Sequence, residues 1–305
     1  RLTGGHGSGA DALFRAELAH YRGDLKQAEI LAYKAIFLAE GNRQSIVQLG
    51  ATLHLCEIAV EKSSFGEWQS ALNSMEHAAS FQNNTVVRTV LDTLRGLLLN
   101  ELGHQGRIAG WLKTTDRIKL LPPAVRDNAL FVYICFLMHE GEYARMAGSV
   151  QAIRDSFRPY SPFGDAFISI LVAIGHVQTG DRASAAVNLE HAMEQAMPDS
   201  LIYLFAVHHW LLQGLPEELI RKKFPEYLPR YLEIRERFLK GFERLHTGLL
   251  PDSLPGSLTA REREIALLAA KGFKNSEIAK KLTVSESTVR FHLRTEFQKL
   301  DVDRR

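Results

Sequence analysis

The chain has 305 residues, 46% hydrophobic and 24% charged, a composition suited to a globular protein with material for two or more cores. Its two cysteines, Cys56 and Cys135, lack CxxC spacing and have no histidines at metal-site intervals, which argues against a disulfide framework or a zinc site and for a reducing, cytoplasmic compartment. The net charge of +2 is unevenly spread: residues 258–305 carry 11 Lys and Arg against 7 Asp and Glu, and the remainder 26 against 28, so the basic excess sits where a polyanion would be met. No apolar run approaches the ~18 to 20 residues of a membrane span; ALFVYICFLM (129–138) is about half of that and reads as a buried helix. The sequence begins at Arg1 without a signal-peptide pattern, so a piece of a longer protein is expected.

Residues 1–10 are expected to form a flexible leader. GGHGSGAD (4–11) has the glycines of a phosphate loop, but Ala10 and Asp11 stand where Lys and Ser or Thr would hold phosphate and magnesium. No cofactor is therefore expected in this chain.

Residues 11–246 read as helical repeats. Strand signals are nearly absent, and Ala- and Leu-rich segments show i, i+3, i+4 spacing. RGDLKQAEILAYKA sets Ala28 and Ala35 five and twelve positions after Gly23; FGEWQSALNSMEHA repeats this with Gly66, Ala71 and Ala78; TGDRASAAVNLEHA does so with Gly180, Ala185 and Ala192. Each unit predicts a helix, a glycine turn at positive φ, and a second helix whose alanines let its partner approach. HEGEYARMAGSV and ELGHQGRIAGWL, around Gly141 and Gly103, are weaker copies. The pattern resembles tetratricopeptide repeats, although 43 positions from Gly23 to Gly66 and 39 from Gly141 to Gly180 exceed the usual 34. Stacked hairpins of this kind present a groove for a small-molecule effector or a partner protein. Tyr133, His139, Tyr143, Tyr203 and Trp210, in two aromatic runs, are the candidate ligand residues, with core filling as their plainer role. The adjacent His208 and His209 point ~100° apart on a helix and suit no shared metal site.

PRYLEIRERFLKGFERLH predicts a long amphipathic helix with Tyr231, Phe238, Phe242 and Leu245 on one stripe and Glu233/Arg237 and Glu236/Lys240 as i, i+4 pairs. Residues 247–257, TGLLPDSLPGS, hold two prolines and two glycines and mark a linker. A second domain follows over 258–305. Thr259 and Glu262 have capping-box spacing; Ile265, Leu268 and Ala269 give the first helix its apolar face, and Gly272 ends it. NSEIAKKL forms a short second helix, and a third starts at the N-cap Ser285 with Val289, Leu293, Phe297 and Leu300 inward. At 100° per residue Ser287, Phe291, Arg294 and Gln298 fall on the opposite face, with Arg290 and Thr295 at its edges. Guanidiniums suit guanine and phosphate, and an aromatic ring suits a thymine methyl.

LTAREREIALLAAKGFKNSEIAKKLTVSESTVRFHLRTEFQKLDV, about a seventh of the chain, resembles the LuxR-type helix-turn-helix family in three blocks in order: LTxRExE, N-x-EIAxxL, and STV-[KR]-x-H followed by KLxV. Carried over by position, the resemblance places Arg290, Phe291 and Arg294 toward the major groove and Lys274, Ser276, Ser287, Thr288 and Lys299 at or near backbone contacts. Thr295 and Glu296 depart from the family's Asn and apolar residue. The family's fourth helix, which mediates dimerisation on DNA, would follow Val302, close to Arg305 where the sequence stops.

The expected fold is thus all-α, a tetratricopeptide-like helical-hairpin solenoid followed by a LuxR-type helix-turn-helix domain. Repeats ahead of such a domain resemble the large ATP-binding regulators of the family, so a nucleotide enters only through an upstream ATPase module. The resemblance implies a bacterial, non-enzymatic transcriptional regulator that binds double-stranded DNA, is steered by an effector or partner on the repeats, and works as a homodimer. A repeat scaffold whose terminal hairpin makes protein contacts is the alternative. No nucleophile and base stand at catalytic spacing.

Overall fold

The computed structural model describes residues 8–80, 84–118, 121, 123–156, 162–249, 260–270, 272–282 and 284–299. Among them are fifteen α-helices and no strand, and no helix is long and apolar enough to cross a membrane. In chain order they are α1 (Ala10–Tyr21), α2 (Leu25–Glu40), α3 (Ser45–Glu61), α4 (Phe65–Ser80), α5 (Thr85–Glu101), α6 (Pro123–His139), α7 (Tyr143–Ser156), α8 (Pro162–Gln178), α9 (Arg182–Ala196), α10 (Tyr203–Val207), α11 (Leu215–Lys223), α12 (Leu228–Leu249), α13 (Ala260–Ala270), α14 (Asn275–Leu282) and α15 (Glu286–Lys299). The chain divides into two compact units. The first is Arg1–Tyr133, Asp199–Tyr203 and Arg230–Gly248, and the second is Ile134–Pro198, Leu204–Pro229 and Leu249–Arg305. The run 129–138 lies in α6, with Ala129, Val132, Ile134 and Leu137 fully buried.

Left-handed turn residues recur at Gly23, Ser63, Gly103, Gly141 and Gly180, at intervals of 40, 40, 38 and 39 positions. Four of these turns join the two helices of a hairpin: α1 to α2, α3 to α4, α6 to α7 and α8 to α9. In the first and fourth of these hairpins an Asp follows the turn glycine and caps the second helix: Asp24 accepts from the Gln27 N–H at 3.1 Å and Asp181 from Ser184 at 3.0 Å. Glycine supplies the positive φ and aspartate the missing N-terminal acceptor. Ala28, Ala35, Ala185 and Ala192 are fully buried, as their spacing predicts.

The α3/α4 hairpin differs from the sequence reading by three positions. Gly66 is inside α4 with open space around it, and Ser63 takes the left-handed turn at φ 55 while the Ser64 hydroxyl accepts from the Glu67 N–H. The positions equivalent to Ala28 and Ala35 are then Trp68 and Met75, both buried. After Gly103 no second α-helix forms. Short 3-10 turns cover Gln105–Arg107 and Gly110–Lys113, consistent with Gly106 and Gly110, each costing about 1 kcal/mol in a helix interior.

Helix α12 buries Tyr231, Ile234, Phe238, Phe242 and Leu245, the stripe its sequence predicts, and its partners are the N-terminal helices of the first unit. A Cβ on Gly241 would overlap the Val60 carbonyl oxygen of α3, and one on Gly23 would stand 2.6 Å from Ile234. Arg237 pairs with Glu233 at 2.7 Å, as expected at i, i+4, and also grips Glu61 through Nε and Nη2 at 3.1 and 2.8 Å. Glu61 in turn accepts from His20 Nε2 at 3.0 Å. Further along, His246 Nδ1 donates to the Leu102 carbonyl at 2.6 Å at the end of α5.

Behind Glu61 lies a buried polar cluster. Burial opposes a charge on His20, but the nearby Glu57 and Glu61 carboxylates override it and push the imidazole up to about 10. Glu57 is held below the usual carboxylate range: burial resists its ionisation, and the His20 and His54 imidazoles beside it outweigh that. Burial first, and the Glu57 charge second, push Glu101 up to about 8; its carboxyl accepts from the Tyr203 hydroxyl at 2.9 Å.

The Gly241 crossing yields a direct test. Gly241→Ala is expected to lower unfolding stability in urea by about 1–3 kcal/mol or more, since backbone must move to admit the methyl. Gly66→Ala, in open space on a helix, is expected to raise it by about 0.5 kcal/mol.

Candidate nucleic-acid interface

Helices α13, α14 and α15 enclose one small core. Ile265 and Ala269 from α13, Ile278 and Ala279 from α14, and Val289 and Leu293 from α15 are buried together, with Leu268, Phe273, Leu282 and Val284 packed around them. Apolar residues at i and i+4 on each helix dictate this arrangement. Gly272, at φ +84, ends α13: its N–H reaches the Ala269 carbonyl, and the Phe273 N–H reaches Leu268. At the start of α14 the Lys274 N–H donates to Glu277 Oε2 at 2.6 Å. The capping box expected at Thr259 lies outside the described residues, while Glu262 itself is buried.

The turn into α15 is fixed by hydroxyls. Ser285 Oγ accepts from the Thr288 N–H at 2.9 Å and hydrogen-bonds the Thr288 and Ser287 hydroxyls at 2.7 and 2.8 Å. Ser285 is thus the N-cap the sequence predicts. Thr288, expected at a backbone-contact position, is 2% exposed with its hydroxyl spent on Ser285, so its place is in the cap and not on the surface. His292 is buried beside the core.

With Val289 and Leu293 inward, α15 turns Ser287, Arg290 and Arg294 to the surface and leaves Phe291 half-buried. Arg290 lies 3.7 Å from Glu286 one turn back, an exposed and readily exchanged pair. Lys274 and Ser276 are exposed at the N-terminus of α14, where backbone N–H groups and the helix dipole favour an anion. Lys299 is the last described residue of α15. Its side chain, like those of Thr295, Glu296, Phe297 and Gln298, lies outside the described residues, as does Leu300.

Phe291 has an aromatic partner that its sequence position does not suggest. Its ring stacks on Trp210 with centroids 4.3 Å apart and planes 16° apart, and His139 sits 5.6 Å from Trp210 on its own account. Three residues singled out from sequence, one for DNA and two for an effector, therefore meet within the second unit. Tyr143 is half-buried at the start of α7. Tyr133 and Tyr203 belong to the first unit, each 4% exposed, and Tyr203 is engaged by Glu101 and by the His20 ring at 4.3 Å.

Comparison with known proteins agrees with this geometry. Residues 256–305 match the family described as bacterial regulatory proteins, luxR family. Over 51 residues, 17% of this chain and 22% of the relative, the sequence is 49% identical to the monoamine regulon transcriptional regulator of Klebsiella aerogenes. Over 49 residues it is 45% identical to the probable transcriptional regulatory protein SgaR of Hyphomicrobium methylovorum, covering 16% of this chain and 23% of that one. The HTH-type transcriptional regulator MalT of Vibrio cholerae is 22% identical over 311 residues, which is 95% of this chain and 34% of the relative. The chain thus spans about a third or less of the length of these curated relatives. No solved structure matches it significantly.

Ser285 is the N-cap of α15, its Oγ accepting from the Thr288 N–H. Ser285→Ala is expected to cost the domain about 1 kcal/mol, read as an earlier loss of helical signal on urea titration, whereas Ser276→Ala should be near neutral.

Proposed function

We infer, from a C-terminal segment that belongs to the LuxR family of bacterial regulatory proteins, that this chain is part of a DNA-binding transcriptional regulator acting in the cytoplasm. The observation that carries the reading is the division of α15: Val289 and Leu293 are buried while Ser287, Arg290 and Arg294 face outward. An α-helix with its side chains fits the ~12 Å major groove. Arg294 and Arg290 then reach guanine edges, and Phe291 a thymine methyl. Lys274, Ser276, Ser287 and Lys299 serve the phosphates, which set affinity and register without reading sequence. A homodimer on DNA would place two such helices about one helical turn apart.

The repeat part supplies regulation. Phe291 cannot reach a base edge while its face lies on Trp210, so DNA binding must give up that stack, worth about 0.5–1.5 kcal/mol. An effector or partner protein that takes the Trp210 and His139 surface would free the reading helix by competition, a population shift as large as its preference for the open state.

The whole protein is the material for the test, against a duplex selected from random sequences. Arg294→Ala should weaken binding by about 1–3 kcal/mol and relax sequence preference at one position, and each phosphate contact should contribute about −0.9 to the slope of log affinity on log salt. Trp210→Ala should tighten binding about two- to tenfold, the stacking energy recovered. Absence of duplex affinity at low salt would overturn the DNA reading and favour a scaffold, and unchanged affinity in Trp210→Ala would overturn the masking.

A further inference from the structure

We propose that His20, His54 and Glu57 form a site for one divalent transition-metal ion of the zinc class, inside the first unit. His20 projects from α1, and His54 and Glu57 project from one turn of α3. One ligand atom from each lies within 4.8 Å of the others, the one such group among the described residues. Glu57 Oε2 is 3.3 Å from His20 Nδ1 and 2.9 Å from His54 Nδ1. Metal bonds of ~2.0–2.1 Å in a tetrahedral set give ligand-to-ligand edges of about 3.3 Å; the two edges through Glu57 stand near that length, and the edge between the histidines is within 4.8 Å, so a single ion draws the imidazoles onto it by side-chain adjustment.

The hydrogen bonding around His20 points the same way. Arg237 holds Glu61 as a carboxylate, which can only accept. His20 Nε2, 3.0 Å from Glu61 Oε1, must therefore carry the proton. That leaves Nδ1, which is fully buried and has no hydrogen-bond partner, facing the Glu57 carboxylate. A lone pair cannot rest against a carboxylate in a dry core, so a positive charge belongs between them. A second proton on His20 or a metal ion meets that need, and the two compete for the same atom. The carboxylate that fixes the far nitrogen of a metal-bound imidazole is the arrangement that orients histidine ligands and raises their basicity; Arg237, Glu61 and His20 supply it.

Charge and donor type select the ion. Glu57 stands against both histidines and Glu61 against His20, with Arg237 bonded to Glu61, and these carboxylates favour a dication. Two imidazoles and a carboxylate suit zinc, cobalt or nickel over magnesium or calcium. An ion there ties α1 to α3 where α12 crosses, so its role is to lock the fold of the first unit.

The probe is cobalt chloride added to the whole protein after dialysis against a chelator. The expected result is one cobalt per chain, with the visible absorption of a four-coordinate cobalt ion, lost on adding equimolar zinc, and a rise in melting temperature with zinc. His54→Gln removes a ligand while keeping the His20, Glu61 and Arg237 bonds, and should reduce cobalt affinity at least tenfold with an unchanged helical spectrum. His191→Gln, a surface histidine paired with Asp165, should bind as wild type does. Wild-type protein that takes up no cobalt overturns the site, whatever the variants do. Equal binding by wild type and His54→Gln overturns it too and leaves the cluster as a proton-filled ion pair.

Discussion

The first unit depends on how closely α12 crosses α3. With glycine at 241 the two backbones approach until a Cβ would overlap the Val60 carbonyl oxygen, and at that distance Arg237 reaches Glu61 with two nitrogens. A helix late in the chain thereby closes over the first hairpins, and its guanidinium fixes a carboxylate that would be costly to bury alone. That carboxylate orients His20, and His20 faces Glu57. Moving α12 outward by a methyl group would loosen packing, the ion pair and the imidazole geometry together.

The second unit repeats the hairpin design and ends in a domain of a different kind. Among the described residues six buried side chains form its core: Ile265 and Ala269 on α13 and Val289 and Leu293 on α15 are i, i+4 pairs, and α14 adds Ile278 and Ala279. Such a core has little reserve, which gives weight to the Ser285 hydroxyl network at the turn. Arg290 and Arg294 on the outer face of α15 lie outside that core and that hydroxyl network. Phe291, half-buried beside them, stacks on Trp210. The same pair thus links α15 to the Trp210 segment within the second unit by a single aromatic stack.

Local chemistry was legible from sequence and distant packing was not. Gly23 and Gly180 announce turns because the next residue is a capping Asp, and the buried alanines follow at set intervals. Ser63 hides the equivalent turn because a serine at positive φ has no sequence signature, and nearby Gly66 draws the register three positions along. The blocks around Asn275 and Val289 identify the terminal domain because its core and cap are local. The stripe on α12 predicted an amphipathic helix, but apolar periodicity carries no address, so its docking on α3 could not be read. The same holds for Trp210 and Phe291, 81 positions apart. For the buried cluster, His54 and Glu57 have the i, i+3 spacing of one helix face, yet His20 joins them only through the α1 to α3 packing. Sequence spacing carries no sign of that convergence.

The most direct test of the reading helix and its restraint is fluorine NMR of the whole protein labelled with 5-fluorotryptophan, titrated with its selected duplex. Trp68 lies buried in the first unit and Trp111 donates to Asp92 at 2.9 Å, so both serve as internal references. The account predicts that duplex shifts the Trp210 resonance alone, to the position it takes in a Phe291→Ala variant. Bound DNA that leaves Trp210 unmoved would contradict it.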